Sequence, residues 1–249
     1  MKVSSVASLL PFAVAVSAKP SWSRSKAKFP TTTIAGVEVV DTQIVRDAQA
    51  VIRNMTDYLY KHQMRSWLFG AAMFNANETL KSQVDLEVHA VATMLHDLGW
   101  DMTPGSPWVT LDHRFEVDGA IGSRNFIRAH PDGKYWDEGR VQLVWDGIAL
   151  HGTSSISEYK ETDVANIVRS IGLDYTGPNY GVTQEVYDGI VAEFPNDDLI
   201  SGTNETFVWF CETKAAVTYD TWLQPWGDAF VEGYSAVGHR AVDMYLPQP

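Results

Sequence analysis

Cysteine is almost absent from this sequence, which has only Cys211 among its 249 residues. No intramolecular disulfide can therefore form. The surrounding run TFVWFC (206–211) predicts a buried, inert thiol, because no histidine lies near it in sequence to activate it. Outside the N-terminus, no apolar run approaches the roughly 20 residues that a membrane-spanning helix needs.

Basic residues are also scarce. Lysine and arginine total 19 against 31 acidic residues, so the formal net charge is -12. A surface this acidic repels phosphate backbones and anionic lipid headgroups. The composition therefore predicts that the protein binds neither nucleic acid nor a membrane surface, and it favours a small-molecule partner. Composition does not predict the oligomeric state.

Alternating strand patterns are nearly absent, whereas apolar residues recur at helical spacing along most of the chain. The sequence predicts an all-α fold, with one domain over residues 41–249 after an irregular lead at 19–40. Two prolines and a glycine predict a loop at 100–112. The predicted helices are 42–62, 64–75, 81–98, 114–130, 138–151, 162–174 and 183–194, with one or two more in 205–245.

The N-terminus is typical of a secretory signal peptide. Residues 1–18 carry one lysine, then an apolar stretch, then small residues, which predicts cleavage after Ala18. An apolar first helix of the domain is the alternative interpretation. Three N-x-T sequons, at Asn54, Asn77 and Asn204, would be usable in a eukaryotic secretory pathway. Together these features predict a secreted glycoprotein.

A histidine and an aspartate, His96 and Asp97, stand side by side where an apolar helix must end at Gly99. Ionisable groups at the buried end of a helix cost free energy unless something pairs with them, and a divalent cation is one such partner. His62 and one later aspartate complete the candidate set. Imidazole and carboxylate ligands suit zinc, with iron or manganese as alternatives. Adjacent ligands can share one ion only where the helix ends beside it.

Five segments resemble the successive motifs of the HD-domain superfamily, and in particular of its fungal cyanamide hydratase branch. The resemblance covers roughly residues 40–235 and rests on HQMRSWLFG, MLHDLGWD, HRFEVDGA, LVWDGIALHGT and VANIVRSIGLDYTG. It implies an all-helical bundle with a divalent metal bound by a His…His-Asp…Asp set. Residue by residue, it implies the metal ligands His62, His96, Asp97 and Asp174. Asp220 is the competitor for the last position.

The resemblance also implies roles for residues beside the metal. His151 matches a histidine that binds a second ion or acts as acid or base; a hydrogen-bonded core histidine is the alternative. His113 lies where a second-metal histidine could fall, although a structural or surface role is favoured. From its position alone, three residues after His62, Arg65 would pair with an active-site carboxylate, hold an anionic substrate or form a structural ion pair. Packing is expected for His89, and solvent exposure for His130 and His239.

Two more carboxylates, Glu116 and Asp118, diverge by about 200° on a helix and cannot act on one atom. One of them could hold the free N–H of a ligand histidine, and capping or a salt bridge is equally consistent with the sequence.

The function that these residues favour is a metal-dependent hydratase or hydrolase of a small molecule. Metal-activated water would attack an electrophilic carbon, as in a nitrile or cyanamide, with Asp97 and His151 as the catalytic residues. An HD-type phosphohydrolase is the second hypothesis, but only Arg65, Arg114 and Lys160 lie near the motifs to neutralise phosphate. A di-iron oxygenase is the third, and a non-catalytic secreted binding protein is the fourth.

Overall fold

The computed structural model describes residues 29–246, and helices dominate them. The all-α prediction is confirmed. Short 3₁₀ helices lie at Leu98–Trp100, Pro131–Tyr135, Ala215–Val217 and Ala241–Met244. The α-helices are α1 Gln43–Ile52, α2 Asp57–Ala76, α3 Glu78–Lys81, α4 Leu86–Leu95, α5 Phe115–Ala129, α6 Glu138–Ala149, α7 Ser154–Ser157, α8 Thr162–Thr176, α9 Gln184–Glu193, α10 Leu199–Thr213 and α11 Gln224–Phe230.

The lead at 19–40 is not wholly irregular, contrary to the prediction. Strands β1 (Thr31–Ile34) and β2 (Val37–Val40) form an antiparallel hairpin. Ala35 and Gly36 connect them, both with positive φ, as a tight two-residue hairpin turn requires. The β2 valines are buried in the core. The predicted signal peptide, 1–18, lies outside the described residues.

Several predicted helix boundaries are wrong: the helix predicted from residue 81 begins at Leu86, and the one predicted from about 205 begins at Leu199. The break between the first two helices lies at residues 53–56 rather than near 63, so α2 runs unbroken through His62. Asn54 and Thr56 are poor helix formers that favour turns, whereas Gln63 carries no signal to stop. α1 has by then completed its buried face of Ile44, Val45, Ala48 and Ile52.

The centre of the bundle is α2, which packs against α4, α8, α9 and α10. Most of its side chains are buried, so it has no single polar face. α4 packs against α2, α6 and α8. Asp85 caps its N-terminus, because the Asp85 carboxylate accepts hydrogen bonds from the backbone N–H groups of Glu87 and Val88. Within residues 29–246, no helix is both long and apolar enough to span a bilayer.

A second, largely aromatic core cluster lies beside the main one and joins the C-terminal helices to the bundle. It packs α10 and the segment before α11 against the start of α5. Its buried members are Tyr58, Leu59, Trp100, Phe115, Phe207, Phe210 and Leu223. Two of its members, Trp100 and Phe207, also line the cavity beside the candidate metal centre.

Candidate metal centre

Three of the four predicted ligands meet at one point inside the bundle. His62 lies on α2, and His96 and Asp97 end α4. One ligand atom from each lies within 4.8 Å of the others, and all three residues are buried. This cluster could hold a metal ion.

The separations between the ligand atoms match those around a small cation. His62 Nε2 lies 3.1 Å from His96 Nε2, and Asp97 Oδ2 lies 2.9 Å from His96 Nε2 and 3.5 Å from His62 Nε2. Ligands held about 2.0–2.1 Å from a tetrahedral zinc are roughly 3.4 Å apart. The three atoms therefore need only small shifts to bind one ion.

The end of α4 allows two adjacent residues to face the same point. His96 keeps helical backbone angles, whereas Asp97 leaves the helix with φ of -105° and ψ of 30°. α5 passes close to this corner, because a Cβ on Gly99 would lie 2.3 Å from the Phe115 carbonyl oxygen. A Cβ on Gly119 would lie 2.6 Å from the His96 carbonyl oxygen. Glycine at both positions is what allows this approach.

Hydrogen bonds on the far side of each ring orient the two ligand histidines. His62 Nδ1 lies 2.7 Å from Asp174 Oδ2, and His96 Nδ1 lies 2.8 Å from the Thr93 carbonyl oxygen. Carbonyl and ionised carboxylate oxygens only accept hydrogen bonds, so each Nδ1 carries the hydrogen. A neutral imidazole with its hydrogen on Nδ1 has a lone pair on Nε2, and in both rings the Nε2 atom faces the Asp97 carboxylate. Burial lowers the pKa of His96 below its ordinary value, although Asp97 opposes this.

His151 is oriented in the same way. Its Nδ1 lies 2.6 Å from the Ile148 carbonyl oxygen, and its Nε2 lies 3.4 Å from Asp97 Oδ1. Burial lowers the pKa of His151, but Asp97 outweighs burial and raises it above the ordinary value. A third Nε2 thus faces the same carboxylate.

The Asp97 carboxylate has the most unusual environment in the cluster. It is fully buried, and within residues 29–246 neither carboxylate oxygen accepts a hydrogen bond. Burial would raise the pKa of this carboxyl, but His96 and His151 outweigh burial and lower it well below its usual range. A buried carboxylate that has no hydrogen-bond partner among the described residues and lies 2.9–3.5 Å from three imidazole nitrogens is an environment that a cation completes.

Asp174 lies behind His62 and outside the group of three converging ligand atoms. Its two oxygens accept hydrogen bonds from Arg65 Nε and Nη2, at 2.7 and 2.8 Å, and Oδ2 also faces His62 Nδ1. Burial opposes ionisation, but His62 and Arg65 outweigh it and lower the pKa of Asp174. The competitor Asp220 is exposed and accepts a hydrogen bond from the backbone N–H of Ala241.

Arg65 forms the structural ion pair that was one of its three predicted roles. It is completely buried, and its remaining donors bind the carbonyl oxygens of Phe194 and Pro195. Its partner Asp174 holds a ligand histidine, so Arg65 supports the centre indirectly. Because the guanidinium is completely buried and makes four hydrogen bonds within the protein, it is not free to bind an anionic substrate.

The two carboxylates of α5 form ion pairs with basic side chains. Glu116 pairs with Arg114, and Asp118 pairs with buried Lys214 at 2.9 Å. His113 lies 3.3 Å from Asp118, with its side chain 41% exposed, in agreement with the favoured structural or surface role.

The remaining histidines and the cysteine lie elsewhere. His89 packs inside the bundle with its Nε2 3.0 Å from Ser170 Oγ, and burial lowers its pKa to about 3. Cys211 is buried and burial raises its pKa, as an inert thiol requires. The exposure predicted for His130 is wrong, because its side chain is only 6% exposed and bonds to Asp47. His239 is exposed.

A cavity of about 520 Å³ opens onto the three ligands and His151. No role at this site was predicted from the sequence for the other residues around it. Trp100, Gly152 and the lining residues of α8 lie within the quoted motifs, whereas most of the rest come from α10, α11 and the chain between them. Most of these residues are apolar or aromatic. They are Trp100, Gly152, Ser154, Val168, Ile171, Gly172, Tyr175, Thr176, Ile200, Thr203, Asn204, Phe207, Trp222 and Trp226.

Comparison of the chain with models of known protein families found no match, and a search of curated proteins found no similar sequence.

Proposed function

We propose that this protein is a metal-dependent hydratase or hydrolase of a small molecule, built on an HD-type helical domain. The observation that carries the proposal is the set of imidazole Nε2 atoms around the unpartnered Asp97 carboxylate, at one end of a cavity large enough for a ligand. The order of the sequence motifs and the all-α fold also support it.

Zinc is the metal that we propose. Two imidazole nitrogens and one carboxylate oxygen, from His62, His96 and Asp97, are a common donor set for catalytic zinc and leave a coordination position open. When bound in such a site, a divalent metal lowers the pKa of water to about 7 and supplies a nucleophile at neutral pH. Asp174 and Thr93 would hold the two imidazoles in the tautomer that binds metal.

His151 is the residue that we propose for proton transfer. Its Nδ1–H donates to the Ile148 carbonyl oxygen, which leaves Nε2 free to accept a proton on the side that lines the cavity. In nitrile hydration, a water oxygen bonds to the nitrile carbon and one carbon–nitrogen π bond breaks. His151 would take one proton from the water and give it to the nitrogen, which yields an imidic acid. Transfer of the remaining O–H proton to the nitrogen then gives the amide without any redox reagent.

Two alternative functions receive less support. A phosphohydrolase needs cationic side chains to neutralise phosphate, and no described lysine or arginine lines the cavity. Lys160 pairs with Asp146 and Glu161 instead. A second iron would need more histidine ligands, and His113 lies beside Asp118 outside the cluster. We retain secretion as a proposal: the asparagines of all three sequons are exposed.

The experiment that tests the proposal combines metal analysis with a substrate screen. The purified protein should contain about one zinc per chain. It should convert nitriles to amides faster than it hydrolyses carboxylate or phosphate esters, measured by mass spectrometry of the products. Two irons per chain, or release of phosphate as the fastest reaction, would overturn it.

Replacing His151 should separate chemistry from metal binding. We expect His151→Gln to lower kcat at least about 100-fold, because general acid–base catalysis typically contributes a factor of that size or more. Its zinc content should stay unchanged. His113→Gln is the matched control, since this histidine is half-exposed beside Asp118, and it should leave both quantities as they are. Equal kcat values for the two variants would contradict the role of His151.

Replacing Asp174 should show whether it binds the metal or holds His62. We expect Asp174→Asn to weaken metal affinity about 10- to 100-fold, as loss of a carboxylate that supports a ligand histidine does. The visible absorption bands of the cobalt(II)-substituted protein should keep their positions, because the ligand atoms are unchanged. A change in those bands to a different coordination number would instead identify Asp174 as a direct ligand, as the sequence resemblance implies.

A further inference from the structure

The cavity at the metal centre is much larger than a small nitrile needs. A water molecule accounts for about 30 Å³ of liquid, so a ligand as small as cyanamide would fill only a minor part of the 520 Å³ available. Pockets of this size usually hold larger organic ligands. Much of the surface comes from a group that we call the aromatic wall: Trp100, Phe207, Trp222 and Trp226.

The rings of the aromatic wall are held in place by hydrogen bonds and ring contacts. Trp222 Nε1 donates to Glu116 Oε1 at 2.9 Å, and Trp226 Nε1 donates to Asn204 Oδ1 at 3.0 Å. Phe207 packs edge to face against both indoles, with ring centroids 5.1 and 5.0 Å away. The indole N–H groups of Trp222 and Trp226 are already bonded, and that of Trp100 is buried, with no partner among residues 29–246. The wall therefore offers a ligand mainly apolar ring surface.

The cavity offers no counter-charge to a charged ligand body. No described lysine or arginine lines it, and its charged groups are confined to the metal centre. Moving an ion from water into such surroundings costs free energy that no partner returns. An uncharged body is therefore favoured.

Gly172 leaves open space in the wall of the cavity. It lies within α8, where glycine is less favourable to the helix than alanine. A Cβ there would meet no atom within 4 Å, whereas a Cβ on Gly147 would lie 2.7 Å from Ile167. Helix packing thus explains Gly147 but not Gly172. The consequence of glycine at 172 is a wider cavity.

We propose that this cavity binds an uncharged small molecule with a flat, apolar body, such as an aryl nitrile, and that Gly172 sets the largest body that fits. The nitrile as reacting group rests on the proposed function. Binding of the apolar body rests only on the cavity, so the two can fail separately.

The test uses the zinc-loaded protein and three probes: benzonitrile, naphthalene-1-carbonitrile and 4-cyanobenzenesulfonate. Dissociation constants are measured by titration calorimetry. Burial of the second ring should make naphthalene-1-carbonitrile bind about tenfold tighter than benzonitrile. The sulfonate should bind at least about tenfold more weakly than benzonitrile, since its charge finds no partner. Equal binding of the sulfonate and benzonitrile would overturn the proposal.

Gly172→Leu tests the size limit, with Gly189→Leu as the matched control. Gly189 also lies within a helix, α9, with open space around its Cα, but it is exposed and does not line the cavity. We expect Gly172→Leu to weaken naphthalene-1-carbonitrile on the order of tenfold, as overpacking does, and benzonitrile much less. Gly172→Ala should show a smaller effect in the same direction. Gly189→Leu should change neither.

The outcomes separate the two proposals. Tight binding of the aryl nitriles without amide formation would overturn the proposed hydration and support the cavity proposal. Amide formation from acetonitrile, with no measurable binding of either aryl nitrile, would support the proposed hydration and overturn the cavity proposal. Equal effects of Gly172→Leu and Gly189→Leu on the larger probe would show that position 172 does not limit size.

Discussion

The variant His96→Ala is expected to lose both its bound metal and its turnover. His96 supplies the nitrogen nearest to Asp97 Oδ2, at 2.9 Å, and its other nitrogen is fixed by the Thr93 carbonyl oxygen. Without it, His62 and Asp97 remain as a two-residue site, too few ligands to retain zinc against dilution or a chelator. Metal content should fall to background, and kcat/KM below detection.

The matched control for this experiment lies on the same helix. His89 is equally buried but bonds to Ser170, and no atom of it belongs to the cluster. His89→Gln should therefore retain about one zinc per chain even if its folding is weakened. Asp97→Ala should behave like His96→Ala. Full zinc content and activity in either ligand variant would show that the residue concerned is not a ligand.

Arg65→Met should give the largest loss of stability among single polar substitutions. Arg65 is completely buried and donates two hydrogen bonds to Asp174 and two more to backbone carbonyl oxygens. Methionine has a similar length without the charge, so Asp174 would keep a buried negative charge with only His62 beside it. Breaking a buried pair in this way costs about 3–5 kcal/mol in free energy of unfolding. Urea denaturation of the metal-free protein measures it.

An exposed ion pair provides the control for Arg65. Arg128 and Glu138 are paired, but their side chains are 52% and 78% exposed. Arg128→Met should cost no more than about 1 kcal/mol, because water solvates the remaining charge. If Arg65→Met proved no more destabilising than Arg128→Met, the buried pair would have no special role in holding α2 to α8.

Local sequence signals were sufficient for much of the fold. The predicted helices at 114–130 and 138–151 correspond to α5 and α6 within two residues at either end. Their period is clear, and Pro131, Asp132 and Gly133 mark the break between them. The hairpin at 31–40 was missed because each strand has four residues, too few to show a period.

The sequence by itself determined that the fold is helical, because the apolar period can be recognised locally. It also predicted four ligands, of which His62, His96 and Asp97 meet at the centre. Only the tertiary structure decided what Asp174 contacts, since its partners Arg65 and His62 are more than 100 residues away in the chain. The aromatic wall also depends on the tertiary structure: its members come from separate segments, and ring packing between distant segments follows no sequence period.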